Sequence, residues 1–245
     1  MTLRHLLAMF AAATALLATT AAGAAPAPRA ASVPFGKESV LLPVPDGFAD
    51  PSATPEAVRG IMARALPESN RFMAMMLSQE FLDRRAAGDP VHLSRYILVQ
   101  TYRAAELAGM STDDFGQLKD LFRKQGDDIL KGSRAGAQEG IDRVTKDVSR
   151  ITGDKSVSFK TGEMTALGVF DEQPNSISLA TLQPVTSTDK NGSRSRNQVM
   201  AMSVVRIAGR PVGVSIYSDC DSQADIDWAE RQVTAWVKRL NELNP

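Results

Sequence analysis

The sequence predicts an α+β fold: one antiparallel sheet with helices mainly on one face, and a long C-terminal amphipathic helix packed across it. Three observations carry this. From Val157 onward the chain breaks into short β-type runs separated by turn clusters, and such short connections make neighbouring strands antiparallel. From Ser222, the residues Ile226, Ala229, Val233, Trp236, Val237, Leu240 and Leu243 form one apolar stripe, with Asp227, Glu230, Arg231, Lys238 and Glu242 outside it. That stripe is as wide as a helix needs to cover a sheet face. In the first half, helical periods with capping residues stand between β-rich runs, which places helices on a sheet.

The elements follow in chain order. Met1 to Ala24 has a charged start, an apolar run from Leu6 to Ala18 and a small-x-small site at Ala22-Gly23-Ala24, the three parts of a secretory signal peptide. The run is shorter than the ~20 apolar residues of a membrane span. Residues 25–36, rich in Ala and Pro, read as a tether, and 37–245 as a single α+β domain. Val40 to Val44 reads as a strand, closed by the Pro45-Asp46-Gly47 turn before Phe48.

Thr54-Pro55-Glu56 opens a helix, with Thr as the cap; Val58, Ile61, Met62 and Leu66 share one face and Pro67 closes it. Phe72–Leu77 and Tyr96–Tyr102 read as strands. Ser111 with Asp114 resembles a capping box. Phe115, Leu118, Phe122 and Ile129 continue that helix until Gly132, Gly136 and Gly140 interrupt it. A further helix carries Ile141, Val144, Val148 and Ile151 and stops at Gly153, so 111–152 is a helical insertion. Strands are then expected around Val157/Phe159, Met164–Phe170, Ile177–Leu182, Val199–Ile207 and Val212–Tyr217. The turns fall at Thr161-Gly162, Gln173-Pro174-Asn175, Asn191-Gly192 and Ala208-Gly209-Arg210.

The proline-bounded strand Leu41–Phe48, the helical insertion, the late hairpin Val204–Val212 and the final amphipathic helix together resemble the PsbP-like fold. That fold is shared by a photosystem II extrinsic subunit, a Ran-binding import factor and bacterial periplasmic proteins of the DcrB type. The resemblance lies in element order and includes no diagnostic motif. It implies an exported α+β domain with a binding role and supplies no catalytic residues.

Composition narrows the function further. The chain has 28 Lys and Arg against 28 Asp and Glu, and removing residues 1–24 takes away only Arg4. Such balance gives no electrostatic reason to expect nucleic acid or an anionic membrane as partner. Cys220 is the one cysteine, so no internal disulfide forms; it reads as a buried small hydrophobe or as a reactive thiol. With the leader removed, His92 is the one histidine, which leaves no His cluster for a metal. No Gly-x-Ser-x-Gly elbow and no phosphate-binding glycine loop is present, and no nucleotide cofactor is indicated.

The strongest local pattern is Asp219 to Glu230. As a twelve-residue calcium loop it places oxygens on Asp219, Asp221, Asp225, Asp227 and Glu230. Ala224 stands where the turn wants Gly, and a strand precedes it where an EF-hand has a helix. The alternative is that Ser222 caps the last helix, with Asp225 three residues on and Asp227 pairing with Arg231. Lys160-Thr161-Gly162, Ser187-Thr188-Asp189-Lys190 and Ser195-Arg196-Asn197 match short patterns of penicillin-interacting serine enzymes, in the wrong order and without the required helix start. Glu80, Asp83, Asp113, Asp114, Glu163, Asp171 and Glu172 are scattered acids of which no spacing singles out a pair. Asp189 to Arg196 is a cationic hairpin tip, read as a solvated turn or as a finger for an acidic partner. Met62, Met73, Met75 and Met76 read as core filling or as an adaptable surface.

The expectation is therefore a periplasmic or secreted, non-enzymatic domain that binds a protein or envelope component, with catalytic residues unknown. The alternatives are a carboxylate-based hydrolase of cell-wall or polysaccharide substrates and a calcium-binding module. No cofactor is expected beyond that calcium, and no membrane span after leader removal.

Overall fold

The computed structural model describes residues 29–89, 92–190 and 192–245. The fold class is the expected one. The main antiparallel sheet comprises β3 (Asn70–Leu77), β4 (Arg95–Tyr102), β9 (Arg210–Asp219), β8 (Gly192–Ile207) and β7 (Ser176–Asp189), hydrogen-bonded in that order. The outer edge of β7 is shared along its length: β6 (Thr165–Gln173) pairs with its first half and β5 (Ser158–Thr161) with its second. β1 (Ala30–Phe35) and β2 (Glu38–Pro43) form a separate hairpin.

The turns behave as their residues require. Ala208 and Gly209 both have positive φ, 48° and 71°, and connect the directly paired Ile207 and Arg210. That is the tight hairpin turn whose twist matches its flanking strands.

The last helix, α5 (Gln223–Leu243), lies across β2, β8 and β9. Its stripe is the one read from the sequence: Ala229, Val233, Trp236, Val237 and Leu240 are all buried. They meet Val199, Ala201 and Val205 of β8, Val212, Val214 and Ile216 of β9, and Phe35, Val40 and Leu42 of the hairpin. The Trp236 indole N–H donates to the Pro43 carbonyl at 3.0 Å, so burying the ring leaves no orphaned donor. Met73, Met75 and Met76 are buried on β3, and Cys220 is buried beside α5.

Several elements differ from expectation. Residues 30–35 of the expected tether form β1, where Val33 and Phe35 join the core and Pro34 is tolerated in an edge strand. Thr54 is not a helix cap. It is buried and its hydroxyl donates to the Met75 carbonyl, while Pro55 occupies the cap position of α1 (Glu56–Ala65). The two helices expected over 111–152 are present, but they meet at a kink at Gln125, whose φ of −133° and ψ of 20° are not helical, and not at Gly132–Gly140. Together they form α4 (Thr112–Thr152), closed by Gly153 in the left-handed region. Its start is the expected capping box of Ser111 and Asp114. Two short helices lay unseen in the sequence. α2 (Gln79–Ala86) is too polar to show a stripe, and α3 (Arg103–Ala108) is too short. The signal peptide expected over 1–24, the first part of the tether, Pro90 and Asn191 lie outside the described residues.

Among the described residues no helix is long and apolar enough to cross a membrane.

Candidate functional site

A cleft of about 540 Å³ opens where several chain segments converge at the N-terminal end of α5. Asp46-Gly47-Phe48 follows β2, Ser78-Gln79-Glu80 joins β3 to α2, Ser94-Arg95 opens β4, and Ser218 to Asp225 joins β9 to α5. Its size suits one ligand side chain or a small molecule.

Local chemistry fixes each wall. Gly47 has φ +78°, the left-handed conformation that the Pro-Asp-Gly turn requires. The Gln79 N–H donates to the Gly47 carbonyl at 2.8 Å and the Ala49 N–H to Leu77 at 2.9 Å. These bonds hold Phe48 against Trp228, their rings stacked with centroids 6.5 Å apart. The Arg95 guanidinium lies over the Trp228 ring at 4.2 Å, a cation–π contact. Two looser contacts hold it: Arg95 Nε to Ser218 Oγ at 3.3 Å and Arg95 to Asp225 at 3.9 Å.

The rim is acidic. Asp46, Glu80, Asp219, Asp221 and Asp225 line the cleft, with Arg95 the one cation of the lining. Asp225 accepts from the backbone N–H groups of Asp221 and Ser222 and from the Ser222 hydroxyl. The first of these bonds is the main reason its carboxyl lies below the usual range. Asp219 touches His92 at 2.5 Å and Arg196 at 2.8 Å. The Arg196 contact is an ion pair whose N–H is not aligned on the oxygen.

The calcium-loop residues separate. Asp219, Asp221 and Asp225 share the cleft wall, whereas Asp227 and Glu230 stand farther along α5, outside the lining. Asp225 is drawn into the capping box, and Asp227 accepts from the Gln223 amide at 2.8 Å. Burial, then the Asp227 charge, pushes the Glu230 carboxyl up. Among the described residues no group of three or more His, Cys, Asp or Glu side chains is placed to hold a metal ion.

Of the scattered acids, Glu80 alone lines the cleft. Asp114 is a cap and Glu172 pairs with Lys119 and Arg123. Lys160, Ser187 and Ser195 sit on strands β5, β7 and β8, not at a helix start. The Cys220 thiol donates to the Ser222 carbonyl at 3.6 Å, and burial raises its pKa.

Sequence reasoning missed Arg95, Phe48 and Trp228 as site residues. They come from three distant segments, and each alone reads as an ordinary strand, turn or helix residue. It also missed the ion pair of Arg71 with Glu106, in which both carboxylate oxygens are engaged at 2.6 and 2.7 Å. Glu106 accepts the Gly36 N–H as well, and Arg71 donates to the Pro34 carbonyl, which ties the β1–β2 hairpin to α3 and β3.

No family model and no curated protein matches the chain. Two solved structures match. The Saccharomyces cerevisiae Ran-binding protein Mog1p is 14% identical, with a TM-score of 0.30 over 89% of this chain and 93% of that one. A mutant of the protein Mog1 is 15% identical, with a TM-score of 0.32 over 88% and 93%. These matches correct two expectations. The fold neighbours are Mog1 Ran-binding proteins and not PsbP-like or DcrB-like exported proteins. Of the groups that the element order resembles, the matches fall on the Ran-binding one, and the expected likeness to exported proteins does not stand. Element order records which strands exist and not how they pair, and here β5 and β6 share one edge of β7. The periplasmic or secreted placement is corrected with it: the matches are to Mog1 proteins, one described as Ran-binding and neither as exported. At these identities and TM-scores the likeness carries no argument about what this chain does.

Proposed function

We propose that this protein is a non-enzymatic binding module whose cleft takes a basic side chain of a protein partner. One observation carries the reading: the cleft already holds a guanidinium, that of Arg95, on an indole face ringed by carboxylates. An aromatic floor with an anionic rim favours a cation twice, through the ring quadrupole and through charge. The flat face of Trp228 is the kind of anchor on which interface energy concentrates.

The test uses tryptophan emission. The chain has two tryptophans, and only Trp228 lines the cleft while Trp236 is buried in the core. Titration with an arginine-rich peptide should change the emission, and the same peptide with glutamate for arginine should not. Trp228→Phe should abolish the response and Asp221→Asn should weaken it. Equal responses to both peptides would sink the proposal. A response to calcium ions alone would instead assign the acidic wall to the cation expected from Asp219, Asp221 and Asp225.

A further inference from the structure

β8 outruns its partner. It spans Gly192–Ile207, whereas β9 ends at Asp219, which pairs with Gln198. Residues 192–197 therefore pair with β7 on one side and continue past the end of β9 on the other.

The direction of the backbone groups follows from the hairpin. Ile207 and Arg210 flank a two-residue turn, so Ile207 directs its N–H and C=O at β9. Strand groups alternate with period 2, so every odd-numbered residue of β8 does the same. The last such group to find a partner is the Asn197 carbonyl, which accepts the Cys220 N–H at 2.9 Å. Beyond it the Asn197 N–H and both backbone groups of Ser193 and Ser195 face outward. Among the described residues none of these groups is paired with a backbone group of β9 or of the segment that follows it.

Charge selects what would fit there. Arg194 and Arg196 sit at alternate positions on one face of this edge, Arg194 exposed and Arg196 half-buried against Asp219. On the other face Thr186 and Ser195, and Thr188 and Ser193, join their hydroxyls at 2.8 Å. The edge thus presents unpaired ladder groups flanked by cations and hydroxyls, with no apolar side chain between Gly192 and Gln198.

We infer that the β8 edge from Ser193 to Asn197 is a strand-addition site for an extended acidic segment of a partner protein. The added strand would lie in line with β9, exchange backbone bonds with Ser193, Ser195 and Asn197, and place acidic side chains on alternate positions beside Arg194 and Arg196. The site adjoins the cleft through the Arg196–Asp219 ion pair, but the backbone groups it uses are not part of the cleft lining.

Amide exchange on the isotope-labelled full chain tests this. The probe is a Thr-Glu repeat of about eight residues, a short strand's length, with a Thr-Lys repeat as control. With the Thr-Glu peptide, exchange at Ser193, Ser195 and Asn197 should slow by roughly tenfold, while Arg194 and Arg196, which already face β7, should not change. Ser195→Pro should abolish the effect. Its N–H is outside the β7 ladder, so proline removes no existing strand bond there. Arg194→Glu should shift the preference toward the Thr-Lys peptide. Three results would overturn the inference: no slowing, equal slowing by both peptides, or slowing that appears without peptide as protein concentration rises. The last would assign the edge to a second copy of this chain.

Discussion

Arg95 has two roles that a single substitution separates. Its contact with Trp228 fills the cleft floor, yet its ties to Ser218 at 3.3 Å and Asp225 at 3.9 Å are long. A partner's cation must displace it, so Arg95→Ala should tighten binding of an arginine-rich peptide about three- to fivefold, the worth of one partly exposed cation–π contact. Calorimetry that finds weaker binding would show Arg95 to be a ligand contact instead. Glu106 is a structural counterpart. The Arg71 hydrogen bonds, then the Gly36 N–H, outweigh burial and hold its carboxyl below the usual range. A depressed carboxylate contributes stability that is present above its unfolded pKa and lost as pH falls through the folded one. Glu106→Gln should therefore cost about 2 kcal/mol at neutral pH, less than a fully buried pair because Arg71 keeps some solvent. That gap should narrow on acidification below the normal glutamate range. Denaturant melts at two pH values measure both effects, and a gap that widens in acid would contradict the assignment.

Between elements, α4 comes very close to the end of α1 at Gly140. A methyl group on Gly140 would stand 2.4 Å from the Ala65 carbonyl oxygen, a backbone atom that cannot rotate away. Beside it Arg143 donates to the carbonyls of Arg64, Ala65 and Leu66 and closes the C-terminus of α1. Gly140→Ala gains about 1 kcal/mol of helix propensity, and overpacking costs about 1–3 kcal/mol, so a net loss near 1 kcal/mol is expected. The melting temperature should fall by roughly 2–4 °C, as a domain of this size does per kcal/mol, and a rise would refute the contact. This glycine also explains why the break within α4 was placed too late in the sequence, when the kink lies at Gln125. In the sequence Gly132, Gly136 and Gly140 look like interruptions, but Gly140 marks a close contact inside the helical segment that follows the Gln125 kink. α5, β3, β4 and the β8–β9 hairpin were legible because their patterns are local: a 3.6 period, β-branched runs and an Ala-Gly turn. The cleft was legible only in part, through Asp219, Asp221 and Asp225. Its aromatic floor joins Phe48, Arg95 and Trp228 across three segments, and no local period encodes that.

Across the whole molecule, the core and the long helix are unequal partners. The main apolar cluster draws on the β1–β2 hairpin, the sheet and α5, and among the described residues α4 contributes no side chain to it. α4 is held instead by Phe115, its one fully buried large apolar side chain among the described residues, by its contacts with α1, β5 and β6, and by polar ties. Those ties are Arg64 to Asp147, Arg123 to Glu172, Lys119 to Glu172 and the Arg143 cap. Partly exposed ion pairs of this kind contribute about 1 kcal/mol each, whereas a fully buried apolar side chain contributes about 1.5–3 kcal/mol. Regions with few buried apolar contacts open at lower free energy than the core. The molecule should therefore melt in two steps, α4 first. In Trp228→Phe the remaining tryptophan is Trp236, which reports on the core alone, while circular dichroism at the helical band is weighted by the 41 residues of α4. On heating this variant, the helical signal should begin to fall several degrees before the Trp236 emission shifts, with roughly the spacing that 1–2 kcal/mol of extra stability gives. Coincident transitions would mean that the polar ties couple α4 to the core as strongly as packing does, and that the fold is one cooperative unit.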